Sequence, residues 1–277
     1  MALFISSLNS GSNGNCYYIG NESEAILIDA GISCRETEKR IKRSGLNIEK
    51  IKAIFISHEH ADHISGVSVL SRKHNLPVYI TAATERAGNL NLEKKLVKRF
   101  KADVPVTVGN LHVTAFQKEH DAGDPHSFIV AFSSVRVGII TDIGIACKKV
   151  IHHFKQCHAA FLESNYDEEM LKNGGYPWHL KKRISDGQGH LSNNQALELF
   201  VKYRPPFMSH LILSHLSNNN NKPELVDALF RQHAGNTRIT IASRTKETEV
   251  FTIDTNQLPI RLVKSVTKTS ARQLSLF

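Results

Sequence analysis

Short apolar runs bounded by turn residues, the pattern of strands, fill much of the first half of the chain. "ALFISSL" and "CYYIG" flank the turn-rich "NSGSNGN", a strand, a loop and a second strand. "EAILIDAG", "IKAIFISH", "PVYIT", "LHVTAFQKEH", "SFIVAFSS" and "RVGIITDIG" continue the series. Helical spacing appears in "CRETEKRIKRSG", which stops at Gly45, in "SGVSVLSRKHN", and in "NLEKKLVKRF", read as an amphipathic helix with a basic outer face. From "AAFLESN" onward strand and helix alternate: "NNQALELFVKY", "LILSHLS", "KPELVDALFRQH", "TRITIAS", "EVFTID". Such an order predicts a single-domain α/β sandwich rather than a doubly wound nucleotide fold. No GxGxxG, P-loop or internal repeat is legible, and no run approaches the ~18 apolar residues of a membrane helix. The expected domain is 1–254, followed by a mobile tail, 255–277, of turn residues and scattered Lys and Arg.

Composition changes this picture only in its charge and histidines. The net charge is +9 with 15 histidines, and the four cysteines form no CxxC pair. Reduced thiols and no signal peptide fit a cytoplasmic protein, and the basic balance suits a polyanion, although solubility alone would also account for it.

The histidines cluster. "SHEHADH" places His58, His60, Asp62 and His63 just beyond an apolar strand, four ligand-type side chains within six residues. Imidazoles mixed with a carboxylate favour Zn²⁺, Mn²⁺ or Fe²⁺ over the all-oxygen shells of Mg²⁺ and Ca²⁺.

This HxHxDH motif resembles the signature of the metallo-β-lactamase superfamily. Asp29 in "ILIDAG", His120 in "FQKEHDA", Asp142 in "IITDIG" and His215 in "LILSHLS" match the remaining motifs in order. The resemblance implies a four-layer αβ/βα sandwich with two divalent ions, Mn²⁺ or Zn²⁺. It implies His58, His60 and His120 on one ion, Asp62, His63 and His215 on the other, Asp142 between them and Asp29 orienting ligands. Asp62, Asp142 and His190 are then the expected catalytic residues. His112, His126, His152, His153, His158 and His233 match no motif and are read as surface or structural.

A two-metal centre serves β-lactams, lactones, thioesters and phosphodiesters alike, so the substrate must be read elsewhere. Glu163 in "LESNYDEEML" lies beyond Asp142, as in the nuclease branches. His190 in "GHLSN" precedes a helix that Ser192 caps, and with Asn193 the local donors suit an anion. The "SGSNGN" loop, with Ser12 and Asn13, offers backbone donors to a phosphate, though an ordinary turn is the simpler account. Lys181, Lys182 and Arg183, with the expected helix 94–101, supply basic surface.

The stretches "SGSNGNCYYI", "GISCRETEKRI", "SHEHADHISG", "LESNYDEEML", "YPWHLKKRI", "GHLSNNQA" and "LSHLSNNNN" are similar to those of the compact YycJ/WalJ-like family. That implies a DNA nuclease acting on single-stranded or nicked DNA, 5′-to-3′ in mismatch repair for some members. "QLSLF", with Gln273, Leu274, Leu276 and Phe277, resembles the pentapeptide that docks on the bacterial sliding clamp. The rivals are a small-molecule hydrolase and a non-catalytic DNA- or clamp-binding adaptor.

Overall fold

In the computed structural model, which describes residues 1–255, the apolar segments pair into two seven-stranded sheets. The chain runs β1 (Ala2–Asn9), β2 (Cys16–Gly20), β3 (Ala25–Ile28), α1 (Cys34–Arg43), β4 (Ile51–Phe55), α2 (Ala61–Ile64), α3 (Val67–His74), β5 (Val78–Tyr79), α4 (Ala82–Ala87) and β6 (Val97–Lys98). It continues with β7 (Val106–Val108), β8 (Leu111–Gln117), β9 (His126–Phe132), β10 (Val135–Ile140), α5 (Lys148–Phe154), β11 (Ala159–Glu163), α6 (Glu168–Asn173), α7 (Trp178–Ser185) and α8 (Asn193–Tyr203). Last come β12 (His210–Ser214), α9 (Pro223–Arg231), β13 (Arg238–Ile241) and β14 (Phe251–Asp254).

One sheet has the order β14-β1-β2-β3-β4-β5-β6 and the other β13-β12-β11-β10-β9-β8-β7. Each contains three antiparallel pairings followed by three parallel ones, the switch falling at β3 in the first and β10 in the second. A repeat thus exists in topology although no sequence period announces it.

Three apolar layers follow. Ile5, Ile19, Ile28 and Phe55 of the first sheet meet Val113, Phe128, Val137 and Phe161 of the second in the central core. Phe55 lies 4.5 Å from Tyr79 and 5.9 Å, edge-on, from Phe128 across the sheets. Each such side chain contributes about 1.5–3 kcal/mol on burial. The outer face of the first sheet packs under α1 and α3, and that of the second under α5, α8 and α9. These are the four αβ/βα layers expected of a metallo-β-lactamase sandwich.

Local chemistry fixes the helix ends. Ser33 accepts from the Glu36 N–H to start α1, and Gly45, at φ 68°, ends it in the left-handed conformation. Ser192 and Gln195 close a reciprocal capping box on α8.

The expected basic helix at "NLEKKLVKRF" does not form. Lys94–Leu96 makes one 3-10 turn, and Val97 and Lys98 add an edge strand parallel to Val78 and Tyr79. Leu96 and Phe100, both buried, satisfy the helical i, i+4 spacing but also share strand parity. The open edge of β5 and the β-branched Val97 decide for the strand, and its lysines guard the new edge. The structure adds short helices α4, α5, α6 and α7, whose apolar stripes are too brief to read from sequence. No helix among the described residues is long and apolar enough to cross a membrane, and all four cysteines are free. Gln273, Leu274, Leu276 and Phe277 lie outside the described residues.

Candidate metal centre and substrate cleft

The strand ends make the site. β3 hands on directly to Asp29, β12 to His215, and β10, through Thr141, to Asp142, with φ of 61°, 58° and 52°. A left-handed residue turns the chain sharply at the strand end, and Asp and His tolerate it better than other side chains with a Cβ. β4 runs on through Ile56 and Ser57 to His58. His60 then opens the single turn of α2, which delivers Asp62 and His63. The first sheet's loops clamp that turn: Asn15 N–H donates to the Asp62 carbonyl at 2.7 Å and Ala30 N–H to the His63 carbonyl at 2.9 Å. Gly31 is required here, because a Cβ on it would meet the Asp62 carbonyl oxygen at 1.7 Å.

Two nests of ligand atoms result, each within 4.8 Å: His58, His60 and His120, then Asp62, His63, Asp142 and His215. In the first, His60 Nδ1 lies 3.1 Å from His58 Nε2 and 3.3 Å from His120 Nε2. In the second, His63 Nε2 is 3.2 Å from Asp142 Oδ2, and His215 Nε2 is 3.2 Å from Asp62 Oδ2 and 3.4 Å from Asp142 Oδ1.

The outward ring nitrogens are tied down. His63 Nδ1 meets Asp29 Oδ2 at 2.7 Å, and Asp29 also accepts from the Ser57 N–H and hydroxyl, both at 2.8 Å. His58 Nδ1 is 2.9 Å from Ser57 Oγ, and His120 donates from Nδ1 to the Gly189 carbonyl at 2.9 Å. His215 Nδ1 is 3.0 Å from Asn165 Nδ2 and 3.3 Å from Glu163 Oε1. Imidazoles held in this way present their second nitrogen inward as a lone pair, the arrangement a bound ion needs.

Electrostatics agree with that fit. Burial disfavours a charged His63, yet Asp142, Asp62 and Asp29 override it and raise its pKa well above the usual value. Burial acts in the same sense on His215, but Asp142, Asp62 and Glu163 bring it up to about 10. Burial alone leads at His58, well below normal, and at His120, at about 4. Burial thus disfavours charge on His58 and His120, whereas the other nest is a carboxylate field that demands positive charge. Among the described residues, the buried Asp142 Oδ2 meets no donor in good hydrogen-bond geometry and faces His63 Nε2, at 3.2 Å, a place a cation would fill better.

Beside the nests, His190 Nδ1 lies 2.7 Å from Glu163 Oε1, while Glu163 Oε2 accepts from Ile143 N–H at 2.8 Å. Burial opposes its ionisation, but His190 and His215 hold the Glu163 carboxyl at about 2. The His190 ring stacks on His215 with centroids 5.2 Å apart. Both line a cleft of about 350 Å³ with His60, Asp62 and Asp142, and one side of it is formed by Leu180, Arg183 and Ile184 of α7.

The other expected substrate contacts divide. Ser12 lines the cleft. Asn13 donates to the Arg244 carbonyl, and the loop's deepest residue, Asn15, braces Asp62 and His63 at 3.1 and 3.0 Å instead of opening toward a phosphate. Ser192 is buried between Gln195 N–H and Glu168, and Asn193 between Ser164 and Asn221, so the structure brings neither into the cleft. Glu163 is likewise buried, against His190 rather than on the cleft surface. Lys181 reaches the Lys172 carbonyl on the outer side of α7. His126 packs on Phe100 and His153 on Phe116, away from the nests.

Sequence reasoning missed Asn15, Ser57, Asn165 and Lys118. Lys118 is buried, donates to the Thr141 carbonyl at 2.7 Å, and places a cation among Asp142, Asp29, Glu163 and Asp62. A lysine in the apolar run toward His120 was its one visible sign.

A family model described as "Beta-lactamase superfamily domain" matches residues 24–216. The chain is 37% identical over 230 residues to the exodeoxyribonuclease YycJ of Bacillus anthracis, covering 81% of this chain and 86% of that protein. It is 31% identical over 225 residues to the exodeoxyribonuclease WalJ of Streptococcus pneumoniae, covering 79% and 83%. Among solved structures, the metallo-beta-lactamase fold protein YhfI of Bacillus subtilis superposes with TM-score 0.71 at 17% identity, over 91% of this chain and 100% of that one. Zn²⁺-bound PqqB of Methylobacterium extorquens gives 0.68 at 14%, over 91% and 99%. At such identities the two structures speak to the fold alone.

Proposed function

The chain belongs to the beta-lactamase superfamily and within it to the YycJ/WalJ family, and on that footing we propose that it is a metal-dependent exodeoxyribonuclease. The observation that carries this reading is the pairing of the two ligand nests with a Glu163–His190 couple on one cleft.

His58, His60 and His120 would hold one divalent ion, and Asp62, His63 and His215 the other, with Asp142 serving both; Mn²⁺ and Zn²⁺ suit the mixed nitrogen and oxygen donors. Bound there, the ions supply charge neutralisation of the phosphodiester and activation of a water at neutral pH. The chain's own residues do the rest. Glu163 fixes Nδ1 of His190 at 2.7 Å, leaving the other ring nitrogen to give a proton to the departing oxygen. Asp29, Ser57 and Asn15 keep the imidazoles from turning. Arg183, beside the cleft, adds positive charge for the backbone. A net charge of +9 favours a polyanionic strand over a lactone or thioester.

The test is digestion of 5′- and 3′-labelled single-stranded DNA by the purified chain with Mn²⁺ or Zn²⁺. Progressive loss of the 5′ label first is the expected result and supports 5′-to-3′ action, in keeping with mismatch repair. Rapid hydrolysis of lactones or thioesters with DNA untouched overturns the assignment. Clamp docking through Gln273, Leu274, Leu276 and Phe277 is proposed from the sequence motif alone. Deleting residues 273–277 should abolish binding to the sliding clamp and leave the cleavage rate unchanged.

A further inference from the structure

α7 is an unusual helix. None of its eight residues is buried, and it separates two hollows. Leu180, Arg183 and Ile184 face the metal cleft, whereas Trp178, Lys181, Lys182 and Ser185 face a groove of about 700 Å³ on the other side. Tyr166, Leu171 and Lys172 complete that groove. Trp178 is 73% exposed, a large apolar surface left in water, and it is the chain's single tryptophan. The Lys182 ammonium lies 5.3 Å from its ring centroid. Glu168, the groove's acid, is engaged by the Ser192 hydroxyl and the Asn194 amide.

We propose that α7 is a saddle over which the DNA strand passes, with a base beyond the scissile position stacking on Trp178 and its phosphates lying along Lys172, Lys181 and Lys182. The inference rests on the nuclease reading. A flat aromatic ring flanked by lysines is what a single strand requires, since any base can stack on it and the backbone is neutralised alongside. An apolar partner would be poorly matched by three lysines, and a second copy of a chain with net charge +9 would be repelled by them. The helix is about 10 Å across, so a mononucleotide held at the metals cannot touch Trp178, whereas a strand of several nucleotides can.

The lone tryptophan is its own reporter. Phosphorothioate oligothymidylates of one, four and eight nucleotides, which resist cleavage, are titrated into the intact chain with its metal. Emission should be quenched by the four- and eight-mers and not by the mononucleotide. Trp178→Ala should raise KM for a twelve-nucleotide strand roughly ten- to hundredfold, with a smaller loss for a dinucleotide, and Trp178→Phe should recover most of it. Cleavage by the intact chain with unchanged emission, or an unchanged KM in Trp178→Ala, removes the saddle and leaves the nuclease standing. Emission that varies with protein concentration alone assigns Trp178 to a protein contact and overturns the inference. Intact chain that leaves all DNA uncut defeats the nuclease reading itself, and the saddle with it.

Discussion

In the N-terminal sheet the strand at the antiparallel-to-parallel switch ends at Ile28 and hands on to Asp29; in the C-terminal sheet the equivalent strand ends at Ile140 and reaches Asp142. Both aspartates are left-handed and both are buried, and each has neighbouring histidines within reach. Their surroundings differ. Asp29 spends both oxygens on Ser57 and His63 Nδ1, behind the nests, while Asp142 sets Oδ2 3.2 Å from His63 Nε2 and Oδ1 3.4 Å from His215 Nε2, against the inward ring nitrogens. The same backbone device thus yields a carboxylate behind His63 in one half and one facing the inward ring nitrogens in the other. What separates them is how many local donors the neighbouring loop offers.

The largest effect should come from Asp142→Asn, which loses bound metal by elemental analysis and brings DNA cleavage below detection. Were Asp29→Asn to do the same, the two aspartates would be equivalent and the contrast would fail. Next is the proton donor proposed for the C-terminal half: His190→Ala should cost roughly 10²–10⁴ in rate with metal content unchanged. Glu163→Gln should cost less, and the double variant little more than His190→Ala, since the two act as one couple. Full additivity in that cycle would separate them. Asp29→Asn itself should weaken metal affinity about 10–100-fold by competition with a chelator, because the outer nitrogen of His63 loses its anchor. The smallest effect concerns substrate handling, placed here only in the C-terminal half. Lys182→Ala should lower the slope of log affinity against log salt by about one, whereas Lys98→Ala on the edge strand of the other half should leave it unchanged. Equal slopes for the two variants would mean that DNA is held by general charge.

The residues of the two nests were legible because the motif "HEHADH" is local and because Asp142 and His215 stand at the ends of apolar runs that can hardly be anything but strands. Asp29 could be read as orienting only through the family resemblance. Glu163 was visible as an acid at a strand end, yet its partner, His190, comes from a loop 27 residues later, and only the packed sheet shows that the carboxylate faces inward. Ser192 is a helix cap in sequence and in structure alike, but capping consumes its hydroxyl. The basic helix expected around Lys94 failed because Leu96 and Phe100 satisfy two periods at once. Asn15 and Lys118 were invisible for a more general reason: what they touch is assigned by chain crossings of 47 and 23 residues that no local pattern encodes.

Asp29, Asp142 and His215 carry a side chain where the backbone prefers none, at a cost of about 1–2 kcal/mol each, lessened for Asp and His. Glycine at any of the three would relieve that cost but strand buried partners: Ser57 and His63 behind Asp29, His63, His215 and Lys118 around Asp142, and Asp62 and Glu163 beside His215. The metal-free chain should therefore melt at a lower temperature with Asp142→Gly, because the charges that face this carboxylate outweigh the relieved backbone. Backbone strain and buried charge are thus held as one unit, and no single codon at the end of a strand removes the first without exposing the second.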